Sequence, residues 1–314
     1  MGCLGRVSRA VGSMDKRTRG IIAVSACLYL GLAFCASSSH RRSSFPEIIR
    51  SQDEGYRGSP LLRTAAGISE KKRALQASLL GEYSRDPDGF VKRIAKKDRH
   101  FLFDAVVDGC VTMRVGRPGD GGKWIYEPET LGEEAIVYSF GVGEDISFDT
   151  GMAGLFGCRV YQFDPNPEVA AVFPSAAGGY PCGAGRLFYS PLGLGPVSTE
   201  KGREWSLVIK GRACPAKSLG DIARGLGHDH VDVLKIDIEG GEFAVLHEIL
   251  SSGTLASLSV KMLLVEFHVW DAGLFGDFLR LFADLDAAGY RLYRKEFNPS
   301  NIRCAEYAFV KLNP

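Results

Sequence analysis

The sequence predicts an α/β fold: a mostly parallel sheet, helices on both of its faces, and a final strand running antiparallel to the rest. Three observations carry that prediction. Beyond Leu131, apolar runs of strand length alternate with amphipathic runs of helix length, the order that β-α-β units require. The first run, Ala135–Phe140, stops abruptly at Gly141-Val142-Gly143 and leads into a helical pattern, as a buried strand does when it turns tightly beside a ligand. The last two runs, Tyr290–Lys295 and Glu306–Lys311, have only a short Asn-Pro-Ser-Asn turn and its flanks between them, so they pair as a hairpin and the last opposes the sheet.

Taken in order, residues 1–37 hold a basic segment and an apolar run, Ile21–Ala36, which follows Lys16, Arg17 and Arg19 and gives way to His40-Arg41-Arg42. The run is slightly short for a membrane span and long for the core of a signal peptide. It reads as a signal anchor, making the chain a single-pass membrane protein of the secretory pathway or Golgi. The alternative is cleavage near the small residues Ala33 and Cys35, which would release a secreted body. Residues 38–84, rich in Ser, Arg and Gly, read as a stem. Residues 85–130 read as helices, with Phe90, Ile94, Phe101 and Val106 loosely spaced, followed by a β-arm over Val111–Tyr126 that alternates around the turn Pro118–Gly122.

Residues 131–314 form the main domain. Strands are predicted at Ala135–Phe140, Arg159–Phe163, Arg186–Ser190, Val231–Ile238 and Lys261–Phe267, before the terminal hairpin. Helices are predicted at Ile146–Leu155, from Pro167, and over Lys217–Leu226, Glu242–Leu250 and Leu274–Ala288. The stretch before Lys217 reads as irregular. The near-continuous apolarity of the strands indicates a sheet buried on both faces.

Charge excludes one class of partner. With 38 basic against 37 acidic residues the net charge is +1, so no global field recruits nucleic acid. Of eight cysteines, three precede residue 37; the other five contain no CxxC and no metal-ligand spacing, and no metal ligands are assigned.

The glycine turn narrows the ligand. Asp164 ends the second strand a little over twenty residues past Gly141, placed to accept both hydroxyls of a ribose. A dinucleotide fingerprint needs a third glycine where Ile146 stands, and Glu144 and Asp145 put negative charge where a pyrophosphate would sit. A phosphate-free, cationic nucleoside suits those acids better. S-adenosylmethionine, with its ammonium and sulfonium groups, is such a ligand.

SFGVGEDISFD, followed by FDPNP, LKIDIEGGEFAVL and VEFH, resembles the FkbM-type and methyltransferase-like-24 group of S-adenosylmethionine-dependent methyltransferases over roughly residues 100–311. The DGGKW of the arm is similar to the preface of the latter group, although Tyr126 stands near where that group often carries a cysteine. The resemblance implies a Rossmann-like class I methyltransferase sheet. It further implies that Gly141, Gly143 and Glu144 line the methionine end, that Asp164 holds the ribose, and that Asp237 sits beside the reactive methyl. For the FkbM branch it implies O-methylation of a sugar or small metabolite, and so a glycan or small-molecule acceptor.

Methyl transfer is an in-line displacement that draws much of its rate from alignment, and a hydroxyl acceptor gains from a general base. Asp237 and Glu239 share one strand face, as do Glu266 and His268. His268 or Asp237 is the candidate base, with Glu239 or Glu242 orienting the acceptor; Trp205, Trp270 and Phe275 are candidates to line an acceptor groove. The same acids with His268 could hold a divalent metal. Two other readings stay open. One is a membrane-anchored glycosyltransferase in which Asp237-Ile238-Glu239 binds a metal and a nucleotide sugar, and the other is a noncatalytic cofactor-binding module.

Overall fold

The computed structural model describes residues 67–94, 96–171, 173, 178–195, 205–298 and 301–312. The apolar segment Ile21–Ala36 lies outside these residues, and no helix among them is long and apolar enough to cross a membrane.

Two helices, α1 (Glu70–Arg85) and α2 (Pro87–Arg93), precede a β-arm of β1 (Thr112–Val115) and β2 (Lys123–Tyr126). The predicted stem is therefore shorter than expected. From Glu70 the chain is helical, and Arg73 reaches Asp286 at 3.4 Å. That helix buries no residue fully, so its sequence carries little of the amphipathic signal that would have revealed it.

The main domain is then β3 (Ile136–Phe140), α3 (Ser147–Phe156), β4 (Arg159–Phe163), the hairpin β5 (Tyr180–Cys182) and β6 (Gly185–Ser190), and β7 (Gly193–Leu194). There follow β8 (Trp205–Ile209), β9 (Arg212–Lys217), α4 (Leu219–Leu226), β10 (Val233–Ile236) and α5 (Glu242–Ser251). The described chain closes with β11 (Met262–His268), α6 (Ala272–Ala287), β12 (Tyr290–Phe297) and β13 (Cys304–Lys311). The central sheet has eight strands in the order β12-β13-β11-β10-β3-β4-β6-β5. Strands β11, β10, β3, β4 and β6 run parallel, while β13 lies antiparallel between β11 and β12, as the sequence predicts for the final strand.

Each central strand is buried throughout, and the pleat sends its side chains alternately to two cores. Tyr138, Phe140, Leu234, Ile236, Val265, Phe267, Tyr307 and Phe309 pack towards α4, α5 and α6. Val137, Val233, Met262 and Leu264 pack on the other side, against Phe148 and Met152 of α3 and Val115 and Ile125 of the arm. The arm thus takes the place of a second layer of helix over part of that face. This alternation matters for the site. Lys235 and Asp237 follow Val233 in steps of two, and Glu266 and His268 follow Leu264, so all four side chains belong to the arm side.

The stretch read as irregular folds into a small sheet, β8-β9-β7. Its hairpin turns at Lys210 (φ 49°) and Gly211 (φ 76°), the pair of left-handed residues that a tight hairpin demands. Pro215 within β9 hides the strand from a reading of propensities. The helix after it starts at Leu219, because Ser218 caps it by accepting from the Asp221 amide at 3.2 Å.

Candidate active site

A cavity of about 740 Å³ opens where β3, β4 and β10 end at their carboxyl termini. The glycine turn forms one wall. Gly141 has φ 76°, and a Cβ added there would lie 1.6 Å from the Asp237 carbonyl oxygen, so the two strand tips touch only because the side chain is absent. Gly143 has φ 58° with open space around it, which bares its backbone to the cavity.

Asp164 faces the same cavity while only 7% exposed. One carboxylate oxygen accepts from the Gly143 amide and the other from the Asn166 amide, both at 2.9 Å. Each oxygen retains acceptor capacity for a ligand hydroxyl. Tyr189 donates to the Asp164 carbonyl at 2.8 Å and fixes the backbone beneath. Glu144 stands exposed on the cavity wall. Asp145 is turned to structural use: it accepts from the Ser147 amide at 3.0 Å and lies 3.2 Å from the Arg117 guanidinium, tying the arm to the start of α3.

The far wall is charged. Asp237 and Glu239 line the cavity, and Lys123, reaching across from the arm, lies 3.2 Å from the Asp237 carboxylate. The same ammonium bonds Glu306 directly and lies 4.0 Å from Glu266, although Lys123 is only 2% exposed. Lys235 sits 3.8 Å from Asp237 and donates to the Gly141 carbonyl at 2.7 Å. Burial opposes the charge on Asp237, but Lys123 and then Lys235 outweigh it and hold the carboxyl down at about 2. Burial and the fields of Asp237 and Glu306 push Glu266 up to about 8, against the pull of Lys123. Asp149, wholly buried beside the cavity, has its pKa raised by burial, against the pull of Lys235, Ser139 and Gln162.

His268 lies outside the cavity lining, 3% exposed. Its Nδ1 is 3.0 Å from Glu242, whose carboxylate also accepts from the amides of Ile238 and Gly240. Its Nε2 is 3.6 Å from Glu239. Burial works against the imidazolium, but the bond to Glu242, its charge and those of Glu266 and Asp237 raise the pKa to about 9. A ring charged at neutral pH has no lone pair for an acceptor's proton, so the structure turns His268 from candidate base into a cation clamped between two acids. Asp237, at about 2, is likewise a poor base but a permanent negative charge. Phe275 is core and lines no groove, Trp270 packs against the His268 ring, and the Trp205 side chain lies outside what is described.

Residues 98–311 match the family described as Methyltransferase domain. The chain belongs to that family. Two curated relatives, both named probable methyltransferase-like protein 24, also align with this chain. The human protein is 26% identical over 175 residues, 51% of this chain and 42% of its own; the rat protein is 28% identical over 143 residues, 44% and 34%. The matches therefore span less than half the length of either relative. Among solved structures, fibrillarin pre-rRNA processing protein of Methanococcus jannaschii overlaps at TM-score 0.37 and 10% identity, covering 58% of this chain and 69% of that one. Aeropyrum pernix fibrillarin, solved with natively bound S-adenosyl-L-methionine, overlaps at 0.35 and 13%, covering 57% and 67%. The fold rests on the strand order rather than on these overlaps.

The sequence singles out Gly141, Gly143, Glu144, Asp164, Asp237 and Glu239, and the fold brings all six to one cavity. It passed over Lys123, Lys235 and Glu306. The two lysines had a local signal, one lying inside the apolar run Val231–Ile238 and the other in step with Ile125 on the inward face of β2; Glu306 had none. The cluster also sets a pH dependence. Glu266 and His268 both have folded-state pKa values above their ordinary ones, so each contributes stability that is complete at low pH and lost as pH rises through the raised value. Chemical unfolding of the chelator-treated protein is therefore expected to show stability falling from about pH 5 to pH 9, by up to about 1.4 kcal/mol per pH unit for each proton lost. Glu266→Gln should flatten the lower half of that fall; an unchanged profile would remove Glu266 as its source.

Proposed function

We propose that this methyltransferase binds S-adenosylmethionine and methylates a hydroxyl of a sugar or small molecule. The observation that carries the reading is the single cavity joining the glycine turn and Asp164 to Asp237 and Glu239. One end recognises a nucleoside and the other presents acids to an acceptor. The donor set fits the cofactor: the Asp164 carboxylate with acceptor capacity to spare, a bared backbone at Gly143, and no basic side chain on the turn to receive a pyrophosphate. When bound, the cofactor supplies an electrophilic methyl on a sulfonium.

Asp164 would hold the ribose hydroxyls, with Gly141, Gly143 and Glu144 around the methionine end. Asp237, kept ionised by Lys123 and Lys235, would face the developing charge at the transfer end and orient the acceptor hydroxyl. Glu239 stands on the same wall, and the acceptor's proton would leave to water at the open mouth of the cavity. Titration calorimetry of the full chain with S-adenosylmethionine and S-adenosylhomocysteine tests the first half. Asp164→Asn should weaken both ligands about tenfold to a hundredfold, the worth of one hydrogen bond to a charged group. A folded wild-type chain that binds neither ligand would sink the proposal, and manganese-dependent binding of a nucleotide sugar in its place would favour the glycosyltransferase reading.

A further inference from the structure

Beside the cavity, but outside its lining, β11 and β13 bring three metal-binding side chains together. Their antiparallel register sets His268 opposite Cys304, with Glu266 two residues before His268 on the same face. All three are buried, and one donor atom from each lies within 4.8 Å of the others. Cys304 is a free thiol. We propose that Glu266, His268 and Cys304 bind a zinc ion, with Glu239 closing the fourth position.

Four features support this assignment. The first is the donor set. A thiolate, an imidazole and carboxylates match the borderline-soft zinc ion and poorly suit magnesium or calcium, which take oxygen. The second is the tautomer. A carboxylate only accepts, so the bond to Glu242 puts the hydrogen on Nδ1 of His268 and leaves Nε2 to face Glu239 at 3.6 Å. A carboxylate behind a histidine in this way orients a metal-binding ring. The third is spacing. Tetrahedral zinc, with bonds of about 2.0–2.3 Å, needs about 3.3–3.8 Å between ligand atoms. The His268–Glu239 pair already meets this, and Glu266, His268 and Cys304, with one donor atom of each within 4.8 Å of the others, reach it by closing about an ångström. The fourth is Glu239 itself, a non-glycine residue at φ 58°. That left-handed conformation is costly for a side chain to hold, and it places the carboxylate against Nε2.

The ion would take the place that a proton occupies on Nε2 in the metal-free chain. It would pin the Glu239-Gly240-Gly241 turn, which borders the cavity, and as a ligand Glu239 would leave Asp237 as the acid facing the acceptor. The sequence suggests the acids with His268 as ligands of a divalent metal but not Cys304, which stands thirty-six residues past His268 with no spacing pattern to join them. The zinc site does not depend on the methyl-transfer reading.

The test uses the full chain, freed of metal with chelator and returned to zinc or cobalt. Wild type should bind a single equivalent of zinc tightly enough to survive dialysis. With cobalt it should show an intense thiolate-to-cobalt charge-transfer band together with the visible bands of a tetrahedral ion. Cys304→Ser should lose the charge-transfer band, and Glu242→Gln should weaken zinc by about tenfold to a hundredfold, the usual effect of removing the group behind a metal-binding histidine. Circular dichroism checks that each variant is folded. A folded wild type that retains no zinc and shows no charge-transfer band with cobalt overturns the proposal, whatever the variants do. So does a band that persists in folded Cys304→Ser.

Discussion

Lys123→Met is expected to lower folding stability at neutral pH by about 3–5 kcal/mol, the cost of removing one partner from a buried ionic cluster. The argument is one of charge. Asp237, Glu266 and Glu306 converge on one ammonium that is almost wholly buried, and burial alone would drive that ammonium towards neutrality. The field of Glu306, then of Asp237 and Glu266, outweighs burial and raises the lysine pKa. Methionine fills the same volume without the charge, leaving Lys235 and His268 as the remaining cations near Asp237. Urea unfolding should show the deficit at pH 7 and a smaller one near pH 4, where Glu306, raised from its ordinary value by burial, is protonated in either protein. Adding Glu306→Gln to Lys123→Met should recover part of the loss, since the double variant buries one charge fewer. Equal stability of Lys123→Met and wild type at pH 7 would show that the cluster is solvated and that the low pKa of Asp237 has another origin.

Gly141→Ala is expected to abolish measurable cofactor binding, whereas Gly143→Ala should weaken it only modestly. Both glycines have positive φ, so both substitutions carry the left-handed penalty of about 1–2 kcal/mol. They differ in what a methyl would meet. At Gly143 there is nothing within 4 Å; at Gly141 the carbonyl oxygen of Asp237 is 1.6 Å away. The methyl at Gly141 must push β3 and β10 apart at their tips, displacing the turn and Asp237 together. Calorimetry on the two variants compares them directly. Similar affinities would mean that the tips yield, and that the turn is less rigid than its contacts imply.

Much of this architecture is written in the chain because its signals are local. Strands buried on both faces read as unbroken apolar runs, the glycine turn interrupts one of them, and the brief link between Tyr290–Phe297 and Cys304–Lys311 allows only a hairpin. The hairpin β8-β9 was overlooked because Pro215 argues against a strand, although the Lys210-Gly211 turn was a usable signal. The nucleoside end of the site was legible for the same reason as the fold: Gly141, Gly143 and Asp164 lie at strand tips that the alternation locates. The charged wall was not. Lys123, Glu266 and Glu306 meet only when the arm folds over the sheet and β13 takes its register, and no spacing encodes that meeting. The charge of His268 is not legible for a related reason. Its position at a strand end was visible, but a histidine's protonation depends on neighbours such as Glu242 and Glu239 brought in by other elements.

The place of β13 has a consequence for how the molecule is made. A ribosome delivers Cys304–Lys311 after every other described strand, yet that segment belongs in the sheet's interior, between β11 and β12. Until it emerges, β11 presents an unpaired edge of apolar residues, and Tyr290–Phe297 has no partner to hold it to the sheet. The nascent domain must therefore wait with its sheet split, and its acidic wall incomplete for want of Glu306. A chain stalled before Cys304 would be a substrate for chaperone capture rather than a slightly shortened domain.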